Sequence, residues 1–246
     1  VSLTPENASV LKETLVPSGQ PQSNLVEFLP TDVFSATRYN LQNPQIAWRS
    51  LLLVAGKNAD AMSAKILIAF SGSLLEPYGI ADAETFLSAV DSEIWTANFD
   101  AEGEKTVAVA QLKDAEKVKK SIAEINFKVP GEKQGSAEIW KSEDGGTAAA
   151  FVENKLILGD AESVLKCLQA KQTAQNFTKN PAWKNFSEIN TAALSYGKDS
   201  TEKVIEVLGE KKAENAQLLT NFTTETRFNA SGIERRTVSP FGLIGR

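Results

Sequence analysis

Three copies of one short hinge constrain this chain more than any other feature of its sequence. Asp-Ala-Glu occurs as Asp82-Ala83-Glu84, Asp114-Ala115-Glu116 and Asp160-Ala161-Glu162, each ahead of apolar residues at helical spacing. An aspartate there can accept hydrogen bonds from the unpaired N–H groups of a first helical turn. The glutamate adds negative charge where the helix dipole favours it. Two copies follow stretches that read as β-hairpins. Residues 147–152 and 156–158 flank Glu153-Asn154-Lys155, where Asn154 is expected to supply the positive φ of a tight turn. Residues 94–99 and 106–112 flank the polar loop 100–104. Leu112-Lys113-Asp114-Ala115-Glu116 aligns with Leu158-Gly159-Asp160-Ala161-Glu162, and Val118, Lys120 and Ile122 align with Val164, Lys166 and Leu168.

Hairpins that hand over to capped helices predict an α+β fold: a large, mainly antiparallel sheet with helices packed on one face. The recurrence predicts two pseudo-repeated halves, approximately 29–130 and 131–246, sharing one continuous sheet. Residues 1–24 read as an N-terminal extension, with a helix started by Thr4-Pro5 and a linker at 17–23. The remainder, 25–246, reads as a single domain.

Further helix starts stand at Asn43-Pro44 and Asn180-Pro181, and Asp199-Ser200-Thr201-Glu202 has the spacing of a capping box for a helix to about Lys212. The helix after Asn43 carries Ile46, Ala47, Leu51 and Val54 as its apolar stripe, with Trp48 beside it read as core. Residues 61–70 are apolar nearly all round, which predicts a buried helix. In the helix after Asp160 the stripe is Ala161, Val164, Leu165 and Leu168, flanked by Cys167 as a small packed residue. Strands are expected at 32–39, 138–141 and 191–196. The last hairpin, 219–228 with 232–238, is polar enough to leave one face wet. Its Arg227, Arg235 and Arg236 are the candidate surface contacts.

The chain has 246 residues, no histidine and one cysteine. Without histidine, Ser-His-Asp, Cys-His and zinc-hydrolase mechanisms are excluded, and the commonest general base and metal ligand are missing. A net charge of −5 with no basic face argues against nucleic acid. The loop 100–104 lacks the spacing of a calcium loop, and Gly145-Gly146 lacks that of a phosphate loop. No catalytic residue, cofactor-binding set or metal-ligand set is therefore assigned. Lys57, Asp60 and Lys65 interrupt the most apolar region, so no transmembrane span is expected. Val1 in place of Met is read as a processed or trimmed N-terminus.

Several pieces together resemble a bacterial family known as a domain of unknown function, found mostly in cell-envelope proteins. They are Leu29-Pro30-Thr31-Asp32, Asn43-Pro44 with Trp48, Glu93-Ile94-Trp95, Ala150-Phe151-Val152 through Leu156-Ile157-Leu158-Gly159, and Asn180-Pro181-Ala182-Trp183. The resemblance spans roughly residues 29–190. It implies an extracytoplasmic location, in the periplasm or at the cell surface, behind a signal peptide or lipid anchor, and it implies no known activity.

The functional expectation is a non-catalytic extracytoplasmic protein that acts through surface interactions with an envelope partner or a small ligand. Two alternatives stay open. One is a carboxylate-pair hydrolase, which needs two carboxyl groups ~5–9.5 Å apart in a cleft. The other is an apolar small-ligand-binding protein, which needs an enclosed void of ~300 Å³ or more between sheet and helices.

Overall fold

In the computed structural model, which describes residues 3–19, 24–71, 75, 76, 78, 80, 82–123, 127–198, 221–229 and 232–238, the hairpins join into one ten-stranded sheet. The strands are β1 (Ser35–Asn40), β2 (Val90–Asn98), β3 (Thr106–Leu112), β4 (Phe127–Gln134), β5 (Ala137–Ser142), β6 (Thr147–Val152), β7 (Lys155–Asp160), β8 (Ala193–Lys198), β9 (Asn221–Asn229) and β10 (Gly232–Val238). Their order is β10-β9-β8-β1-β2-β3-β7-β6-β5-β4, and every neighbouring pair is antiparallel. Seven α-helices accompany it among the described residues: α1 (Pro5–Thr14), α2 (Pro44–Asn58), α3 (Ala61–Phe70), α4 (Ala83–Ala89), α5 (Ala115–Ala123), α6 (Ala161–Thr173) and α7 (Trp183–Glu188). The chain is thus α+β with one large antiparallel sheet. The capping-box helix expected after Asp199 lies outside the described residues.

Helices cover both faces of the central strands rather than one. Successive side chains of a strand point to opposite faces, and the central strands are apolar on both. Val107, Val109, Ala148, Ala150 and Ile157 pack into one core with Val164, Cys167 and Leu168 of α6 and Phe177 and Phe186 near and in α7. Ala110, Leu112, Ala149, Phe151, Leu156 and Leu158 pack into the other with Phe86 of α4 and Val118 and Ile122 of α5. Strands apolar at every position, as in the buried run of β3 and β7, need two covers.

The three hinge aspartates are helix caps. Asp82 accepts the backbone N–H of Thr85 at 3.1 Å, Asp114 that of Lys117 at 2.9 Å and Asp160 that of Ser163 at 2.9 Å. Asn43 does the same for Ile46 at 3.1 Å, and Asn180 accepts from Ala182 at 2.9 Å ahead of α7. Yet the two hairpin-helix units diverge after the cap. The hairpins β2–β3 and β6–β7 lie side by side in the sheet through the β3–β7 pairing, but α5 and α6 lie on opposite faces. The backbone differs at the residue before each cap. Gly159, aligned with Lys113, has φ of 147°, and a Cβ there would stand 2.1 Å from the Thr106 carbonyl oxygen. Only glycine fits that turn. Lys113 instead donates its N–H to Ala89 O at 2.8 Å.

Other local expectations are corrected in detail. In the β6–β7 turn the positive φ falls on Glu153 (56°) and not on Asn154. The buried stripe of α6 is Val164, Cys167 and Leu168, with Leu165 41% exposed. That of α2 is Ala47, Ser50 and Val54, while Ile46 and Leu51 stay accessible. The described side chains of α3, residues 61–66, are not buried: Met62 is 70% and Ile66 52% exposed, and this helix packs mainly on α2. β4 carries no strong strand pattern and its pairing with β5 shifts register between Lys128 and Glu132. α1, in the N-terminal extension, sets Leu11 and Leu15 against Ala47 and Val54 of α2 and against Phe228 and Ile233 of the last hairpin.

Candidate functional site

A pocket of about 420 Å³ lies on the α4 side of the sheet, between strands β1–β3 and the helices α2 and α4. Its floor comes from three registered strands. Tyr39 stands opposite Ile94, and Thr96 stands opposite Ala108. The β2–β3 register shifts between Val90 and Ile94, next to this floor, as bulged strands do where a side chain must be re-aimed. One wall is α2, whose first turns present Pro44, Ala47, Trp48 and Leu51. The other wall is Phe86 and Leu87 of α4 with Leu75, Tyr78 and Ile80 ahead of it, and Leu41 closes one end. The space exists because Ala47 and Ala108 are small where their neighbours are large. No carboxylate and no basic side chain lines it among the described residues.

The polar groups of the pocket are hydroxyls. Tyr39, Tyr78 and Thr96 carry them, and all three line the pocket. Tyr39 keeps 37% of its surface accessible although strands flank β1 on both sides, and that surface lines the pocket. Burial pushes the Tyr39 phenol up, the neighbouring Tyr78 adds to this, and Thr96 opposes it. Burial likewise raises Tyr78 against the Thr96 hydrogen bond. Both phenols are therefore neutral at physiological pH and can donate as well as accept. Outside the pocket, α2 is clasped to α4: Arg49 Nε lies 2.6 Å from Glu84 Oε1, and Gln45 Nε2 donates to Glu84 Oε2 at 2.8 Å. The Arg49 hydrogen bond is the largest cause that holds the Glu84 carboxyl below its ordinary range.

On the opposite face the buried groups are structural. Arg38, 2% exposed, donates to the carbonyls of Phe186 and Ile189, which α7 leaves unpaired at its end. Its Nε has no hydrogen-bond partner. Burial lowers the Arg38 pKa, and the charge of Glu93 opposes that. Trp95 stacks on Phe186 at 5.4 Å and donates its indole N–H to Glu93 at 2.6 Å. Cys167 is fully buried under α6, and burial raises its thiol pKa, so it is not a nucleophile at neutral pH.

The residues singled out in the sequence do not converge on this pocket. Arg227 and Arg236 share one face of the last hairpin and stand opposite Glu234 and Glu225, whereas Arg235, opposite Thr226, lies on the other. Arg227 is ion-paired with Glu225 of its own strand. Asp114 and Asp160 each serve a different helix. Asp100 accepts backbone N–H groups from Gly103, Glu104 and Lys105 at 2.8–3.1 Å, which makes loop 100–104 a turn. Trp48, read from the sequence as core, packs partly against the core and also lines the pocket. No local sequence signal marked the site: small Ala47 and Ala108 meet the aromatics of the lining only through the fold. Among the described residues no group of three or more His, Cys, Asp or Glu side chains could hold a metal ion, and no helix is long and apolar enough to cross a membrane. Comparison with protein-family models, with curated proteins and with solved structures found no match for this chain.

Proposed function

We propose that this chain is a non-catalytic binding protein that holds an apolar small molecule between its sheet and the helices α2 and α4. The observation that carries the reading is the pocket of about 420 Å³, within the size range of small-molecule sites, lined by aromatic and aliphatic side chains with the hydroxyl-bearing Tyr39, Tyr78 and Thr96 among them. The pocket offers no nucleophile–base pair and no carboxylate pair among its described lining residues, which favours holding over hydrolysis. An extracytoplasmic location is part of the proposal and rests on the family resemblance of residues 29–190. A contact surface at Arg227, Arg235 and Arg236 is the weaker reading, because the three arginines are divided between faces and Arg227 is already paired.

The test is titration with the neutral fluorophore N-phenyl-1-naphthylamine. Saturable binding at one site per chain is expected, with a clear loss of affinity in Leu51→Trp, which fills part of the pocket from an accessible position on α2. Probe binding that is absent, or unaffected by Leu51→Trp in a variant that melts normally, would reject the pocket as the site.

A further inference from the structure

The chemistry of the lining narrows the ligand class. This step rests on the pocket being the binding site. Its three hydroxyl-bearing lining residues are Tyr39, Tyr78 and Thr96, while Trp48, Leu51 and Phe86 supply an apolar wall. The cation on α2 closest in sequence to the wall residues, Arg49, is held by Glu84, so the clasp brings no net charge to the rim. A carboxylate or ammonium placed inside would lose its hydration without meeting an opposite charge, whereas a hydroxyl or carbonyl would exchange water for hydroxyl partners. The two phenols stay protonated, so the cluster can both donate to a ligand oxygen and accept from a ligand hydroxyl.

We infer that the pocket selects an uncharged amphiphile whose apolar body lies against Trp48, Leu51 and Phe86 and whose single hydrogen-bonding group meets the Tyr39–Thr96–Tyr78 hydroxyls. At protein packing density the volume suits roughly fifteen non-hydrogen atoms, the size of a medium-chain alcohol, amide or ketone.

Displacement of N-phenyl-1-naphthylamine by dodecanol, dodecanamide, dodecanoate and dodecylammonium at pH 8, below their aggregation limits, tests this. The two neutral compounds should displace the probe at concentrations about tenfold or more below those of the two ions, in the range by which polar sites discriminate against mismatched ligands. Thr96→Val and, separately, Tyr78→Phe should narrow the ratio of dodecanol to dodecanoate. Two variants guard against one that does not fold, and each is checked by its melting curve. Dodecanoate displacing as well as dodecanol, or a ratio unchanged in both folded variants, would overturn the ligand class while leaving the pocket as the binding site. Failure of the probe to bind at all would instead remove the site itself.

Discussion

Asp114 and Asp160 stand at matching points of two hairpins, and each accepts the backbone N–H three residues on at 2.9 Å, yet the helices they start lie on opposite faces of the sheet. The cap sets where a helix begins. The residue before it differs in backbone, with Gly159 at φ 147° and Lys113 outside the positive-φ region.

If these carboxylates act as caps, their removal has a known size. Asp160→Ala should lower stability by about 1 kcal/mol, and Asp114→Ala by a similar amount. Chemical denaturation with an unchanged slope would show it. A variant of either with unaltered stability would contradict the capping role.

Gly159 is less tolerant. Alanine there would need a left-handed backbone and would drive its Cβ against Thr106 O, 2.1 Å away. Gly159→Ala should cost roughly 2–5 kcal/mol from backbone strain and overpacking together. The aligned Lys113→Gly should cost far less, since Lys113 needs no special φ. Comparable losses in the two variants would count against a special backbone requirement at Gly159.

Much of the architecture could be read in advance, and the reasons are physical. Caps are local: Asp82, Asn43 and Asp160 act on N–H groups three residues away, so their letters are sufficient. Hairpins such as β6–β7 are local too. What could not be read was the second cover on the sheet, because an apolar residue such as Leu158 looks the same whether its partner is α5 or α6. The pocket was illegible for a related reason. Tyr39, Trp48, Tyr78 and Ala108 meet only through strand register and helix placement, and none of them is unusual in its own neighbourhood.

Acid should expose one surface network. Glu162 is held by Lys105 at 2.8 Å and Lys166 at 2.7 Å, and the Lys105 hydrogen bond is the largest cause of its pKa falling from 4.5 to about 2. A depressed carboxylate contributes stability that is present above its unfolded pKa and lost as pH falls through the folded one. The melting temperature should therefore drop between pH 4.5 and about 2, and less steeply in Glu162→Gln. Identical pH profiles for the two proteins would dismiss the network as a contributor.

Arg38 joins β1 to the end of α7. Arg38→Met keeps much of the packing volume and removes the donors to Phe186 and Ile189, which leaves two carbonyls and the Glu93 charge without it. A loss of about 3 kcal/mol or more is expected, the range for breaking a buried charged contact. Hydrogen exchange should show the loss concentrated around residues 183–189. A loss spread evenly over the sheet would argue against a local staple.

The clasp between Arg49 and Glu84 positions one pocket wall against the other. Glu84→Gln should weaken probe binding several-fold while moving the melting temperature little, because solvent screens an exposed ion pair and leaves it a small part of the stability. Probe affinity equal to that of the parent would show that α2 holds its place without the clasp.

The solitary thiol, sealed under α6 on the side away from the pocket, makes the molecule its own clock. In native buffer a thiol reagent can reach Cys167 only when that layer lifts, so the labelling rate times those openings without any engineered tag. Occupants of the pocket sit behind the sheet from this gate. Any slowing they cause would be transmitted through the strands and could not come from shielding the sulfur directly.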